Sequence, residues 1–256
     1  MRVTWLSMTP VKSMRLQIVD AIHLDMTGAR GDRRFFVVDE AGELVNAKRL
    51  PPLLTVQPEV EGERLALRFA DGTAVTGEVR DTDETVVTSF YGRPVTGRIV
   101  DGPWAAALSE LAGRPVRLAR TERDGDGYDR GRGAGASLVS TASLDVLRAA
   151  AGVNVPVDGR RFRMTVGIEG AAPHAEDGWI GARVRVGEAV VLVREKVGRC
   201  SVTTRNPDTG VRDLDALAAI ADYRAHVPTE EPLPFGVWGE VVEPGRVAVG
   251  DAVEPE

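Results

Sequence analysis

Turn signals cut the first hundred residues into short apolar runs, at spacings of roughly 8–12 residues, and this limits the fold more than any other feature. Ala41-Gly42, Glu61-Gly62 and Asp71-Gly72 each separate two such runs. Phe35-Phe36-Val37-Val38-Asp39 predicts a buried strand that Ala41-Gly42 turns into a second arm over 43–48. Leu50-Pro51-Pro52-Leu53 breaks that hairpin, and another strand is expected over 54–60. Leu65, Leu67 and Phe69 then alternate with Arg64, Ala66 and Arg68, the period of a half-buried strand. Stretches 74–79 and 84–88 continue the pattern. With 28 glycines, 15 prolines and few aromatics, the chain is expected to be mainly β (α+β), with a few short peripheral helices. Helical patterns fall at 103–113, 140–152 and 213–225. The last has Asp213 as its expected cap and Leu214, Leu217, Ala218 and Ala221 as its buried stripe.

Composition excludes several function classes. A net charge of −6 and a pI near 5.3 argue against general nucleic-acid binding, which needs basic surface. No apolar run approaches membrane-spanning length, and the N-terminus lacks the apolar core of a signal peptide. A single cysteine allows no internal disulfide and no iron–sulfur cluster of the usual four-cysteine kind. A reducing compartment, the cytoplasm, is the expected location.

That cysteine, Cys200, sits in the stretch 197–210, after a valine-rich strand and before the turn residues Asn206-Pro207-Asp208-Thr209-Gly210. Arg199 precedes the thiol, and a neighbouring cation favours thiolate, the form that attacks or binds metal. Most lone cysteines are small buried hydrophobes, so the surrounding string matters more than the thiol alone. Elsewhere, Thr9-Pro10-Val11-Lys12-Ser13 places an ammonium beside a hydroxyl in a turn, which suits a phosphate or simply solvent. Gly31-Asp32-Arg33-Arg34 leads into the aromatic strand. Arg160, Arg161 and Arg163 crowd the mouth of another strand, where surface ion pairs are common. The stretch 121–135 carries Asp124, Asp126 and Asp129 among glycines. It lacks the spacing of a calcium loop and is expected to be a mobile linker or lid. His174, Glu176 and Asp177 lie close together, but too few ligands are present for a metal, and a structural turn is expected.

The string Arg-Cys-x-x-Thr-Thr-x-x-Pro-Asp-Thr-Gly over 199–210 resembles the signature of the MOSC domain, the family named after the C-terminal domain of molybdenum cofactor sulfurase. Pro-Val-Lys-Ser at 10–13 and Asp-Arg at 32–33 resemble the N-terminal β-barrel domain joined to it in the amidoxime-reducing branch. The resemblance implies an N-terminal β-barrel over 1–120, a linker or lid over 121–135 and a MOSC-type β-barrel over 136–256. It implies that Cys200 is a ligand of molybdenum and the catalytic residue. Lys12, Ser13, Arg33 and Arg161 would hold the phosphate of a molybdopterin, and Arg199 and Thr203 would also bind the cofactor. Three positions depart from the branch. Arg163 stands where an asparagine is usual, Arg132-Gly133-Ala134 where Asp-Thr-Ser is usual, and Trp238 where a tyrosine is usual.

The activity this implies is oxygen-atom transfer from N-hydroxylated or similar N- or S-oxide small molecules, with electrons from a separate donor protein. Two alternatives stay open. One is a sulfur carrier using a Cys200 persulfide in metal–sulfur cofactor assembly. The other is a non-catalytic module that binds a phosphorylated ligand.

Overall fold

The computed structural model describes residues 1–256, and the chain is mainly β, with three short helices. The largest sheet has eight strands, in the order Val253–Pro255, Arg183–Val186, Ala189–Gly198, Pro234–Glu243, Ala136–Ser140, Val166–Glu169, Arg2–Met8, Gln17–Val19. Its second face packs on a small sheet of Gly245–Ala248, Ala21–Asp25 and Gly28–Ala29. Between them lies a core of Val3, Leu6, Leu24, Val184, Val191 and Val237 with their neighbours. The alternation of buried and partly exposed residues along Arg183–Val186 follows from the two-residue period of a strand with one face on this core.

The first 29 residues are thus built into sheets whose other strands come from the C-terminal half. Arg2–Met8 pairs antiparallel with Val166–Glu169, and Ala21–Asp25 with Gly245–Ala248. This threading suspends the Thr9–Ser13 turn between the two halves of the molecule. The N-terminal half proper consists of a four-stranded sheet (Phe35–Asp39, Val116–Thr121, Arg93–Asp101, Arg80–Phe90) and a three-stranded one (Gln57–Glu61, Arg64–Arg68, Ala74–Glu78). Phe35, Leu65, Leu67, Trp104 and Leu118 fill the space between them. None of the four sheets closes into a ring of hydrogen-bonded strands. The expected barrels are therefore open sheets packed on one another, and the large sheet ends on three-residue strands at both edges.

Several local expectations change. Pro51 and Pro52 start a 3-10 turn, Pro51–Thr55, because proline at the first positions needs no amide donor; the strand begins only at Gln57. The arm after Ala41-Gly42 makes only a short bridge, Val38 to Leu44, and Phe35–Asp39 takes Val116–Thr121 as its ladder partner instead. Helix Trp104–Ala112 ends on Gly113 in the left-handed region, as expected of a C-terminal glycine. Helix Thr141–Ala150 is capped by the Ser140 hydroxyl and joins two parallel strands as a crossover. Its acid, Asp145, lies beyond the first turn. Asp215, not Asp213, caps Ala216–Tyr223, and the buried stripe is Ala216, Ala219 and Ile220. Alanines around the whole helix left its face undefined, and Ile220 decides it.

One contact holds the first strand in register. Trp5 lies opposite Gly167 at a bulge, and a Cβ on Gly167 would sit 2.1 Å from the indole ring. Replacing Gly167 with Ala is expected to cost about 2–3 kcal/mol, read from urea unfolding. Adding Trp5→Leu should recover part of that loss.

Candidate cofactor cleft

The suspended turn opens onto a cleft of about 530 Å³ between the halves. Lys12, Ser13, Arg33, Arg161, Arg199, Cys200 and Thr203, singled out from the sequence, all line it. The N-terminal wall is tied together by backbone bonds. Lys12 N donates to Phe35 O (2.7 Å), Arg33 N to Thr9 O (2.7 Å), and Thr9 N to the buried Asp32 carboxylate (2.7 Å). The opposite wall is the 3-10 turn Gly159–Phe162 with Arg163, together with the end of strand Ala189–Gly198. Six non-glycine residues have positive φ, and four of them (Ser13, Arg33, Tyr91 and Arg163) line this cleft. Such backbone costs energy and persists where the surroundings enforce it, commonly at functional sites.

The cleft is strongly cationic. Lys12, Arg33, Arg130, Arg161, Arg163 and Arg199 line it, with Lys48 exposed at its edge, and Asp129 is its one acidic residue. The protein as a whole carries −6, so this is a local concentration of positive charge. Lys12 is 7 % exposed; its ammonium donates to Asp129 Oδ1 (2.6 Å) and Gly127 O (2.9 Å) and lies 4.4 Å from the centre of the Phe90 ring. Burial pushes its pKa below the ordinary lysine value, and Asp129 opposes that shift. Burial alone would raise the Asp129 carboxyl, but Lys12 and Arg33 outweigh it and hold it low.

Arg33 pairs with Asp32, donates to Arg163 O (3.2 Å) and covers the Tyr128 ring at 5.1 Å. Tyr128 is buried, and its hydroxyl accepts from Ala29 N (3.1 Å). Its phenol is pushed well above the ordinary value, first by burial and then by Asp32. Arg161 makes a two-pronged pair with Asp213 (2.7 and 3.0 Å), which is the work Asp213 does in place of capping a helix. Arg163 donates to Met14 O (2.8 Å) across the cleft.

Arg199 is turned inward. It donates to Phe162 O (2.8 Å), to Phe235 O (2.9 Å) and to the Met164 sulfur (2.8 Å). Burial, with Arg130 adding to it, pushes its pKa down to about 9, while Cys200 and Glu231 oppose the shift. It therefore clamps the arginine-bearing turn to strand Pro234–Glu243 while standing beside the thiol in the cleft wall. Cys200 begins the 3-10 turn Ser201–Thr204, is partly exposed, and lines the cleft. Thr203 Oγ1 and N both bond Cys200 O (2.9 and 3.0 Å), fixing the thiol-bearing backbone.

Sequence reasoning missed Tyr128, Asp129 and Arg130. The stretch 121–135, expected to be a mobile loop, brings all three into the cleft. Arg93 bonds its backbone at Asp126 O and Tyr128 O (2.7 Å each), and Arg130 pairs with Glu231 while lying 5.9 Å from the Trp238 ring. Trp238 thus lines the cleft under a cation, and Ala134 lines it too. Ser137 and Thr165, bonded at 3.2 Å, add two hydroxyl-bearing residues to the lining.

His174, Glu176 and Asp177 form a network outside the cleft. His174 Nε2 meets the Tyr223 hydroxyl (3.1 Å), Glu176 accepts from Ser140 N and Ser143 Oγ, and Asp177 pairs with Arg224 (2.5 Å). The three are held apart by these partners as a structural turn. Burial, then Arg224, pushes His174 down to about 4, against the influence of Asp177, so the folded state favours the neutral ring. The unfolded chain therefore binds more protons between pH 6.5 and 4, and stability from this group is full above 6.5 and lost as pH falls to 4. Glu176, pushed up by burial, acts in the opposite sense over part of that range. The check is the stability difference between wild type and His174→Asn, because Asn tolerates the positive φ at this position. That difference should move in favour of wild type as pH rises from 4 to 6.5, by roughly 1–2 kcal/mol because the ring is only half-buried and water screens it.

A mainly β chain with one thiol in a cationic interdomain cleft is the class that fold and site define. The comparisons with known proteins specify it. The MOSC N-terminal beta barrel domain model matches residues 1–113 and the MOSC domain model residues 129–254, and the chain belongs to the MOSC family. It is 25% identical to mitochondrial amidoxime-reducing component 1 of Mus musculus, over 95% of this chain and 79% of that protein. It is 28% identical to the molybdenum cofactor sulfurase of Drosophila grimshawi, over 84% of this chain but only 30% of that one. Among solved structures, the YUAD protein of Bacillus subtilis superposes with a TM-score of 0.46 at 13% identity, covering 99% of this chain and 94% of that one.

Proposed function

We propose that the cleft holds a molybdenum–pterin cofactor and that the chain is an oxidoreductase acting on N-hydroxylated or similar N- or S-oxide small molecules. The observation that carries this reading is one partly exposed thiol sharing a 530 Å³ cleft with seven cationic side chains and a single acid. The donor set suits the group: arginine and lysine for an anionic phosphate, hydroxyls for hydrogen bonding, and a thiolate for a soft metal. Lys12, Ser13, Arg33 and Arg161 hold the phosphate, with Arg163 supplying a further guanidinium in place of the branch's asparagine. Cys200 binds molybdenum, and Thr203 fixes its backbone. When bound, the cofactor supplies two-electron oxygen-atom-transfer chemistry.

The protein's own share is binding and orientation. The buried Asp32–Tyr128 support sets Arg33, and the Arg199 clamp sets the turn carrying Arg161 and Arg163. Arg130 and Trp238 bound the space left for the substrate beside Cys200. The similarity to amidoxime-reducing components supports the reaction class, and a separate protein donates the electrons. A lone cysteine suits a reducing compartment such as the cytoplasm.

The test is elemental analysis of protein made in molybdenum-replete cells. Wild type should carry close to one molybdenum per chain, and Cys200→Ala should lose most of it along with turnover of an N-hydroxylated substrate. Full metal and turnover in Cys200→Ala would sink the reading. Asp129→Asn removes the one carboxylate competing for Lys12, so inorganic phosphate should bind the metal-free protein several-fold tighter by calorimetry.

The similarity to molybdenum cofactor sulfurases favours a second reading. Here Cys200 accepts a sulfur atom from the persulfide of a cysteine desulfurase, leaving that donor as its free thiol. Intact mass after incubation with desulfurase and cysteine would show a gain of one sulfur atom, absent in Cys200→Ser.

A further inference from the structure

The cleft does not end at Lys12. From Cys200 its lining runs past Arg163, whose carbonyl accepts from Arg33 (3.2 Å), to Lys12, whose ammonium lies 4.4 Å from the centre of the Phe90 ring. Ser89 and Tyr91, on either side of Phe90 in the chain, carry the lining further, together with Asn46 and Lys48 from the loop after strand Phe35–Asp39. A phosphate held by Lys12, Ser13, Arg33 and Arg161 leaves this outer arm without a ligand.

Tyr91 is the residue of this arm that local chemistry does not explain. Strands Arg80–Phe90 and Arg93–Asp101 pair Phe90 with Arg93, which leaves Tyr91-Gly92 as a two-residue hairpin loop. Both residues have positive φ, 54° and 86°, as a type I′ turn requires. Asparagine, aspartate or glycine is the usual residue at the first of these positions, and a bulky aromatic side chain there is strained. Packing does not offset the strain, because Tyr91 is 64 % exposed. An accessible ring kept on the cleft wall against a backbone penalty suits stacking by a flat ligand.

The groups around the ring match the other parts of a nucleotide. Lys48 is exposed and pairs with no carboxylate, so its ammonium is open to a phosphate. Asn46 uses its side-chain oxygen on Lys48 N (3.0 Å) and Arg49 N (3.3 Å), which leaves its amide hydrogens free for a sugar or base edge. Ser89 adds an exposed hydroxyl. We infer that the outer arm takes a nucleoside monophosphate joined to the pterin phosphate, so that the cleft accommodates the dinucleotide form of the cofactor. This rests on the cofactor reading proposed above. Lys12 and Arg33 then hold the inner phosphate, Lys48 meets the outer one, and Tyr91 stacks on the base.

The test has two measurements. Calorimetry on the full metal-free chain compares guanosine 5′-monophosphate, cytidine 5′-monophosphate and inorganic phosphate. At least one nucleotide should bind tenfold or more tighter than phosphate. Tyr91→Asn places the favoured residue in the turn, so it should fold with a raised Tm; it should remove the nucleotide's advantage and leave phosphate affinity unchanged, while Tyr91→Phe keeps the advantage. Nucleotides that bind no tighter than phosphate, or an advantage that survives Tyr91→Asn, would overturn the inference. The second measurement is acid hydrolysis of protein loaded in cells that make the cofactor both with and without a nucleotide. Close to one nucleoside monophosphate per molybdenum is expected. Molybdenum without nucleotide overturns the inference and leaves the cofactor reading standing, whereas absence of molybdenum overturns both.

Discussion

Like charge gathered in one place is the constraint to which the structure answers. Seven cationic side chains converge on a single cleft in a protein that is acidic overall. Each must be held against its neighbours' repulsion and against the loss of water. The means differ from one residue to the next. Arg33 has a buried carboxylate behind it, Lys12 a carboxylate and an aromatic face, and Arg161 a two-pronged aspartate. Arg163 and Arg199 have only backbone and sulfur acceptors, and theirs are the guanidinium groups that burial pushes lowest. A cleft maintained at this cost is preorganised for an anion, because the protein has already met the cost of bringing the charges together.

The thread of the chain makes that convergence possible. The first strand pairs with Val166–Glu169, and the turn after it is bonded to the start of the aromatic strand. Lys12 and Arg33 therefore face Arg161, Arg163 and Cys200 across a fixed gap. Close backbone approaches preserve the gap: a Cβ on Gly127 would fall 1.9 Å from Arg33 O, and one on Gly135 equally close to Gly28. These glycines are what allow the 121–135 segment to lie against the cleft and contribute Tyr128 and Asp129.

Asp129 gives the arrangement a specific chemical character. It is the one anion among the lining residues, and it occupies Lys12, the most buried of the cations expected to hold phosphate. Any anion approaching Lys12 has to compete with a carboxylate already present rather than meet a bare ammonium. Arg130, near the Trp238 ring, is likewise already paired with Glu231. Both contacts come from the stretch expected to be a mobile linker or lid.

The sequence by itself determined the mainly β class, the helix-ending glycine at 113 and the valine-rich strand leading to Cys200. These were legible because they rest on short-range chemistry, alternation and turn residues, whereas Lys12, Ser13, Arg33 and Arg161 were singled out by resemblance to a family and not by any local pattern. Only the tertiary structure decided that the sheets stay open, that Arg2–Met8 crosses into the C-terminal half, and that Arg199 turns inward as a clamp. It alone decided that Asp213 pairs with Arg161 and that Tyr128, Asp129 and Arg130 belong to the site. Those outcomes depend on partners far apart along the chain, such as Arg2 and Glu169, 167 residues from one another. An arginine's local sequence specifies its charge, but which oxygen that charge meets is set by packing.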